Sequence, residues 1–345
     1  MHINDVSLQL ESGSLNVLLG PTLSGKTSLM RLMAGLDKPT QGDIKIDGKS
    51  VLGQSVRQRS VAMVYQQFIN YPTLTVYENI ASPMRIAGAD NATIKRRVAE
   101  AAELLKLTDF LDRTPLNLSG GQQQRTALAR ALVKGAELVL LDEPLANLDY
   151  KLREELRDEL PRLFAKTGAV LVYATTEPQE ALLLGGSTAT LSEGSVTQFG
   201  KTIDVYNQPD DLQTAQTFSD PPMNLVQINL EEGVMRFGEY VLGTAPDHLE
   251  NGQYTGAIRP HHVTLAAASS NAVTLPATID STEITGSETF IHVSLEESSW
   301  VVLTHGVHRV RKGEALMVSV DPAHFYLFDS TGKLVSAPQQ HSQAA

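Results

Sequence analysis

The octapeptide G-P-T-L-S-G-K-T at residues 20–27 constrains this chain more than any other stretch. It matches the pattern G-x-x-x-x-G-K-[ST] and follows the short apolar run Leu15–Leu19. The residues after it place Leu29, Met30, Leu32, Met33 and Leu36 on one side of a helix. Strand, glycine-containing loop and helix in that order make a phosphate cradle, because backbone amides and the helix N-terminus converge on the anion. In such a loop Lys26 reaches the β- and γ-phosphates and the Thr27 hydroxyl ligates magnesium. Gly20, Pro21, Thr22, Leu23, Ser24, Gly25 and Ser28 complete the candidate nucleotide-binding set.

A second element, LVLLDEP at 138–144, is an apolar strand that delivers Asp142 and Glu143 at its C-terminal end, the end where ligands bind to parallel sheets. Asp142 is the candidate magnesium ligand and Glu143 the candidate general base toward water. Leu138–Leu141 and Ala169–Thr175 read as parallel strands buried on both faces. A charged helix from Asp149 to about Leu160 is predicted between them, with Pro161 ending or kinking it. Its like-charge i,i+4 pairs, Glu154 with Asp158 and Glu155 with Glu159, read as a solvated face. From Thr93 to Leu107, Ile94, Val98, Ala101, Leu104 and Leu105 recur at helical spacing. After Phe218 the character changes. SDPPMN is turn-prone, and YVLG, GAIRP, VTLPATI, FIHVSL, WVVLT and ALMVSV read as strands of a small all-β domain.

The 345 residues suit two domains or three. With no cysteine, disulfides, thiolate metal sites and a cysteine nucleophile are excluded; a reducing compartment fits. The 28 Lys and Arg against 39 Asp and Glu give a net charge of -11, which argues against a nucleic-acid partner. The N-terminus lacks the basic and apolar regions of a secretory signal. No run approaches the roughly 18 apolar residues that cross a bilayer, so any membrane role is expected to come through a partner.

Between the two phosphate-site elements lies LSGGQQQR, residues 118–125, and here the chain resembles the ATP-binding-cassette (ABC) ATPases. The resemblance takes in Gln66 of VYQQ, YPTLTVYENI at 71–80 and LANLD at 145–149. It implies an α/β fold: an ABC-type P-loop NTPase domain over 1–218, with a helical subdomain at about 68–135. It also implies a cofactor pair of ATP and Mg2+, and two cassettes facing head to tail. Ser119, Gly120, Gly121 and Gln122 would then meet the γ-phosphate of ATP held by the opposite cassette, and Gln66 would contact magnesium and sense a membrane subunit. QFG with DVYNQP, then PPMN, GAIRP, VSVDP and HFYLFD resemble the OB-like (TOBE) β domain of sugar-importer ATPases of the maltose type. This places a β regulatory domain at 219–331 and a polar tail at 332–345. The implied partners are a second ABC ATPase subunit, two membrane-spanning permease subunits and, indirectly, an external solute-binding protein. The implied location is the cytoplasmic face of the inner membrane.

Three positions depart from that pattern. The family's switch histidine is replaced by Thr176, and the only histidine before residue 248 is His2. Threonine can hydrogen-bond a phosphate but cannot carry an imidazolium charge. Only nineteen residues precede Gly20, so the family's first strand and its adenine-stacking aromatic are expected to be missing, by truncation, by real loss or, the favoured reading, by a misassigned start. Leu23 stands where the family has glycine, a strained choice if the backbone there needs positive φ. The catalytic set is therefore Glu143, Gln66 and Thr176, and the metal set Thr27, Gln66 and Asp142.

These departures suggest a pair of unlike cassettes in which this chain has an impaired nucleotide site of its own but lends a complete signature loop, an arrangement that resembles the glycerol importer ATPases; a homodimer is the other arrangement. A hydrolysis-impaired subunit and a non-transport ABC protein are the alternatives. Elsewhere, His261 and His262 are read as neighbours on a strand, pointing to opposite faces and unable to share one ion. Trp300 is read as core packing. Arg125 and Arg130 are read as pairing with acidic neighbours or lying at a dimer interface.

Overall fold

The computed structural model describes residues 3–146, 148–165, 167–265, 271–296 and 298–338. His2, Asn147 of the LANLD stretch and the tail from 339 onward lie outside the described residues. The chain divides into two compact units, Met1–Thr202 and Ile203–Ala345.

The first unit holds β1 (Leu15–Leu19), the small hairpin β2 (Lys45–Ile46) and β3 (Lys49–Ser50), β4 (Val61–Val64) and β5 (Leu138–Asp142). β6 (Val170–Thr175), β7 (Ser187–Ser192) and β8 (Ser195–Lys201) follow. Its main sheet runs β4-β5-β6-β1-β7-β8 and is parallel except for β8, which turns back on β7. β1, β5 and β6 are buried along almost their whole length, as their unbroken apolar runs require. Leu19 pairs with Thr175 and Asp142 with Ala174, so the carboxyl ends of these three strands finish level. Everything that follows them therefore emerges at one edge.

Helices α1 (Lys26–Ala34), α2 (Val76–Ile86), α3 (Asn91–Leu104), α4 (Gly120–Lys134), α5 (Tyr150–Ala165) and α6 (Pro178–Leu184) complete the unit. Helix α1 stops at Gly35, whose φ of 75° suits glycine. Helix α2 starts on a capping box between Thr75 and Glu78. The fully buried Asn79 holds the preceding loop, accepting from Tyr71 N and donating to the carbonyls of Tyr71, Leu74 and Thr75. Helices α2, α3 and α4 pack on one another.

Pro161 does not end α5, which continues to Ala165. A proline costs one N–H and crowds the preceding turn, but Leu152, Leu156, Leu160 and Phe164 bury one continuous face across it. Charge on this helix is also less repulsive than its spacing implies, because Glu154 pairs with Arg157 and Glu155 with Lys106. Among the described residues none before Leu15 is in a strand. Ile3, Val6, Leu8 and Leu10 pack instead on the core around Leu18, Met30 and Leu191.

The second unit begins within α7 (Thr202–Asn207), whose first residue closes the first unit, and continues with α8 (Leu212–Thr217). Strands β9 (Asn224–Glu231), β10 (Val234–Phe237), β11 (Tyr240–Thr244), β12 (Gly252–Ile258), β13 (Val263–Thr264) and β14 (Val273–Ile284) follow. The last are β15 (Glu288–Leu295), β16 (Ser298–His305), β17 (Ala315–Val320), β18 (Tyr326–Phe328) and β19 (Leu334–Ser336). They form two antiparallel sheets, β11-β10-β9-β12-β18-β19 and β13-β17-β14-β15-β16. Alternate residues of β9 and β15 point inward, as a period of two demands, into a core shared by both sheets. Trp300 is packing: it stacks on Phe237 and donates its indole N–H to Leu225 O at 3.1 Å.

The compact units divide at Thr202/Ile203 rather than at the expected edge after Phe218. Within the second unit Arg259 ties the two lead-in helices to the β strands. Its buried guanidinium donates to the carbonyls of Tyr206 and Phe218 and lies 3.8 Å over the Tyr206 ring. His261 and His262 are not on a strand but in a 3-10 turn, Pro260–His262. Their rings lie 4.3 Å apart, and His262 also stacks on His324 at 4.0 Å. Burial and these neighbours push the His262 imidazole down to about 3, so it is neutral at pH 7.

Candidate active site

Gly20–Thr27 forms the turn from β1 into α1. Two left-handed residues bend it, Leu23 with φ 70° and Gly25 with φ 106°. Glycine is obligatory at Gly20, where a Cβ would meet Leu191 O at 2.4 Å. Helix α1 has no side-chain cap, so its first amides remain for an external acceptor. The Ser24 hydroxyl oxygen is buried without a hydrogen-bond partner inside the loop. Lys26 is 5% exposed, and its ammonium donates to Gly20 O at 2.7 Å and Pro21 O at 3.0 Å. Burial lowers its pKa, while the nearby Glu143 and Asp142 carboxylates act in the opposite direction.

The ends of β1 and β5 bring the two halves of the site together. The Thr27 hydroxyl donates to Asp142 Oδ2 at 2.8 Å. Burial raises the Asp142 pKa against the opposing effects of that hydrogen bond and of Lys26. Next in sequence, Glu143 sits at φ 46° with its N–H donating to Ala174 O at 3.0 Å. Its Oε2 accepts from Gln66 Nε2 at 2.8 Å. A cavity of about 490 Å³ lies over the loop, lined by Thr22–Ser28, Gln66, Glu143, Glu193 and Gly194. The hydroxyl and carboxylate oxygens of Thr27 and Asp142 form the hard donor set that magnesium prefers. The uncapped helix end, the buried ammonium and the unpartnered Ser24 hydroxyl fit a nucleotide phosphate.

Other candidates stand elsewhere. Thr176 is exposed in the turn between β6 and α6 and does not line the cavity. Ser119 caps α4, accepting from Gln122 N at 3.3 Å while Gln122 Oε1 accepts from Ser119 N at 2.9 Å. Neither this turn nor Gly120 and Gly121 lines the cavity. Arg125 and Arg130 direct their guanidinium groups to backbone carbonyls rather than carboxylates: Arg125 to Leu105 and Lys106, Arg130 to Ile69.

Glu193 and Gly194 are cavity residues that the sequence reading missed. A Glu-Gly pair between two short runs signals a hairpin turn. Its place beside the phosphate loop follows only from the β1–β7 register and from Gly194 N, which donates to Ser24 O at 3.0 Å.

Comparison with known families matches residues 3–146 to the ABC transporter domain and residues 256–328 to the TOBE domain. The trehalose/maltose import ATP-binding protein of Thermococcus litoralis is 37% identical, over 96% of this chain and 95% of its own. The xylose/arabinose import ATP-binding protein of Haloferax volcanii is 36% identical, over 95% of this chain and 88% of its own. The sn-glycerol-3-phosphate import ATP-binding protein of Cupriavidus pinatubonensis is 36% identical, over 97% of this chain and 95% of its own. A solved dimeric ATP-binding cassette bound to ADP and Pi aligns at TM-score 0.54 and 30% identity, covering 58% of this chain and 90% of that one. With its phosphate loop, its Asp142–Glu143 strand end and its β unit in that order, the chain belongs to the ABC transporter family and is an ABC ATPase that binds ATP with Mg2+.

Proposed function

We propose that the chain is the ATP-hydrolysing subunit of an importer for a carbohydrate, a polyol or a glycerol phosphate. The observation that carries this reading is the convergence of Lys26, Thr27, Glu143 and Gln66 on one cavity, with Asp142 behind it accepting from Thr27. Full-length similarity to import ATP-binding proteins for maltose, pentoses and sn-glycerol-3-phosphate supplies the cargo class. The N-terminal unit, with its helical part at about 68–135, is the nucleotide-binding domain, and the β unit is regulatory. No helix among the described residues is long and apolar enough to cross a membrane. Coupling to transport is assigned to two permease subunits at the cytoplasmic face of the inner membrane.

Bound ATP would supply the transferable phosphoryl group, and bound magnesium would neutralise the charge that develops on it. Lys26 would hold the β- and γ-phosphates, with the amides of residues 22–28 around them. Thr27 and Asp142, with Gln66, would hold magnesium. Glu143 accepts a proton from water, and its hydrogen bond from Gln66 fixes the carboxylate that does so. Ser119, Gly120, Gly121 and Gln122 would serve the opposite cassette's nucleotide. Thr176 offers a hydroxyl where an imidazole is usual.

The opposite cassette is assigned as a different polypeptide, on the strength of Leu23 in this chain's phosphate loop and of Thr176 where the family carries its switch histidine. Reconstitution of the transporter with Glu143→Gln tests the function: ATP turnover and uptake should fall by about 10²-fold or more. Full turnover in that variant would refute hydrolysis at this site. Replacing the corresponding glutamate of the second cassette tests the asymmetry, since equal losses would mean equivalent sites.

A further inference from the structure

Glu180 is a buried carboxylate that the mechanism above leaves without a role. It lies on α6, 5% exposed, beneath the end of β6. Two hydroxyls donate to the same oxygen, Oε2: Thr175 Oγ1 at 2.6 Å and Tyr173 OH at 3.1 Å. The Thr175 hydroxyl in turn accepts from Glu177 N at 3.0 Å, which closes the turn that carries Thr176. The main chain at this point supports the site. Ala174 O accepts from Glu143 N at 3.0 Å, and Thr175 O accepts from Gly20 N at 3.4 Å. The last two carbonyls of β6 thus hold the start of the phosphate loop and the residue proposed as general base.

We propose that Glu180 is a positioning residue of the nucleotide site: through the Thr175 hydroxyl it fixes the end of β6, and so sets Gly20, Glu143 and the Thr176 turn in register with one another. A carboxylate accepts from two donors at once and holds a short, charge-assisted bond to Thr175, which a neutral acceptor holds less firmly. Two donors share the carboxylate, but only Thr175 connects it to the site; Tyr173 lies two residues earlier on the strand. That difference separates positioning from the mere satisfaction of a buried charge. The inference rests on the reading of this cavity as the ATP site.

The test uses the full chain and equilibrium dialysis with radiolabelled MgATP, alongside thermal melting. Glu180→Gln and Thr175→Val should each weaken ATP binding roughly 5-fold, and the double variant should bind no worse than the weaker single, because residues acting in series are not additive. Tyr173→Phe should lower the melting temperature about as much as Thr175→Val yet leave ATP affinity within about 2-fold. Additive losses in the double variant, a loss in Tyr173→Phe equal to that in Thr175→Val, or unchanged affinity in Glu180→Gln would each overturn the proposal. Lys26→Ala is measured in the same assay. If it binds MgATP as well as the parent, the reading of the cavity fails; if it does not, the Glu180 results judge the positioning role alone.

Discussion

The phosphate loop and the Ser119–Gln122 turn both open a helix in the same unit, yet the chain builds them in opposite ways. Helix α1 begins without a side-chain cap, behind a leucine and a glycine at positive φ and around a buried lysine. Helix α4 begins at Ser119 in ordinary extended geometry, with both hydrogen bonds of a capping box made. The space beyond Gly120 is open: a Cβ there would meet nothing within 4 Å. One N-terminus leaves its donors unspent and carries strain, and the other is locally satisfied before any ligand arrives. A loop that must wrap an anion cannot also be relaxed on its own, whereas a loop that presents a hydroxyl and an open glycine edge can. Ser119 accepts through its lone pair, so its O–H is still available to donate.

Four substitutions put this contrast to the test. Lys26→Ala should reduce ATP binding by the full chain about 100-fold or more, since the buried ammonium is the loop's own cation. Modest weakening, read by dialysis, would mean that the amides alone hold the nucleotide. Ser119→Ala should lower turnover of the assembled transporter roughly 10-fold and destabilise the chain by about 1 kcal/mol through the lost cap, while leaving ATP affinity of the isolated chain unchanged. A parallel loss of affinity in the isolated chain would put both turns at one nucleotide. Thr176→His should raise turnover several-fold in the transporter, and a flat response would show that the missing imidazole does not limit the rate. Leu23→Gly should relieve about 1 kcal/mol of backbone strain, raising the melting temperature by a few degrees and tightening ATP binding by less than about 5-fold. A lower melting temperature would show that glycine's extra freedom in the unfolded chain outweighs the strain.

Much of the site was legible because its chemistry is local. The Gly20–Thr27 spacing encodes its own turn, and LVLLDEP encodes its own strand end; the fold had only to set two carboxyl ends level for Thr27 to meet Asp142. Leu23 was legible through the family resemblance, which puts glycine at this place and so a strained leucine if the backbone needs positive φ, and its φ is 70°. Glu193 and Gly194 were not, because their place beside Ser24 depends on how β7 registers with β1, a long-range pairing that leaves no mark on nearby residues. Glu180 was hidden by its type: an acidic residue on a short helix reads as surface until Tyr173 and Thr175 are seen to meet it. Pro161, expected to end or kink α5, does not end it because a four-residue apolar stripe outweighs one lost hydrogen bond. The domain edge at Phe218 misled because a turn-prone segment in the sequence does not reveal Arg259 reaching back past it.

That reach of Arg259 has a consequence for how the β module can travel in evolution or in protein engineering. A fragment cut at the SDPPMN turn would leave the Arg259 guanidinium without the Tyr206 ring that covers it and without the two carbonyls that accept from it. Any graft or fusion that is to keep the module folded must start no later than Ile203 and carry the two short helices as its first lap.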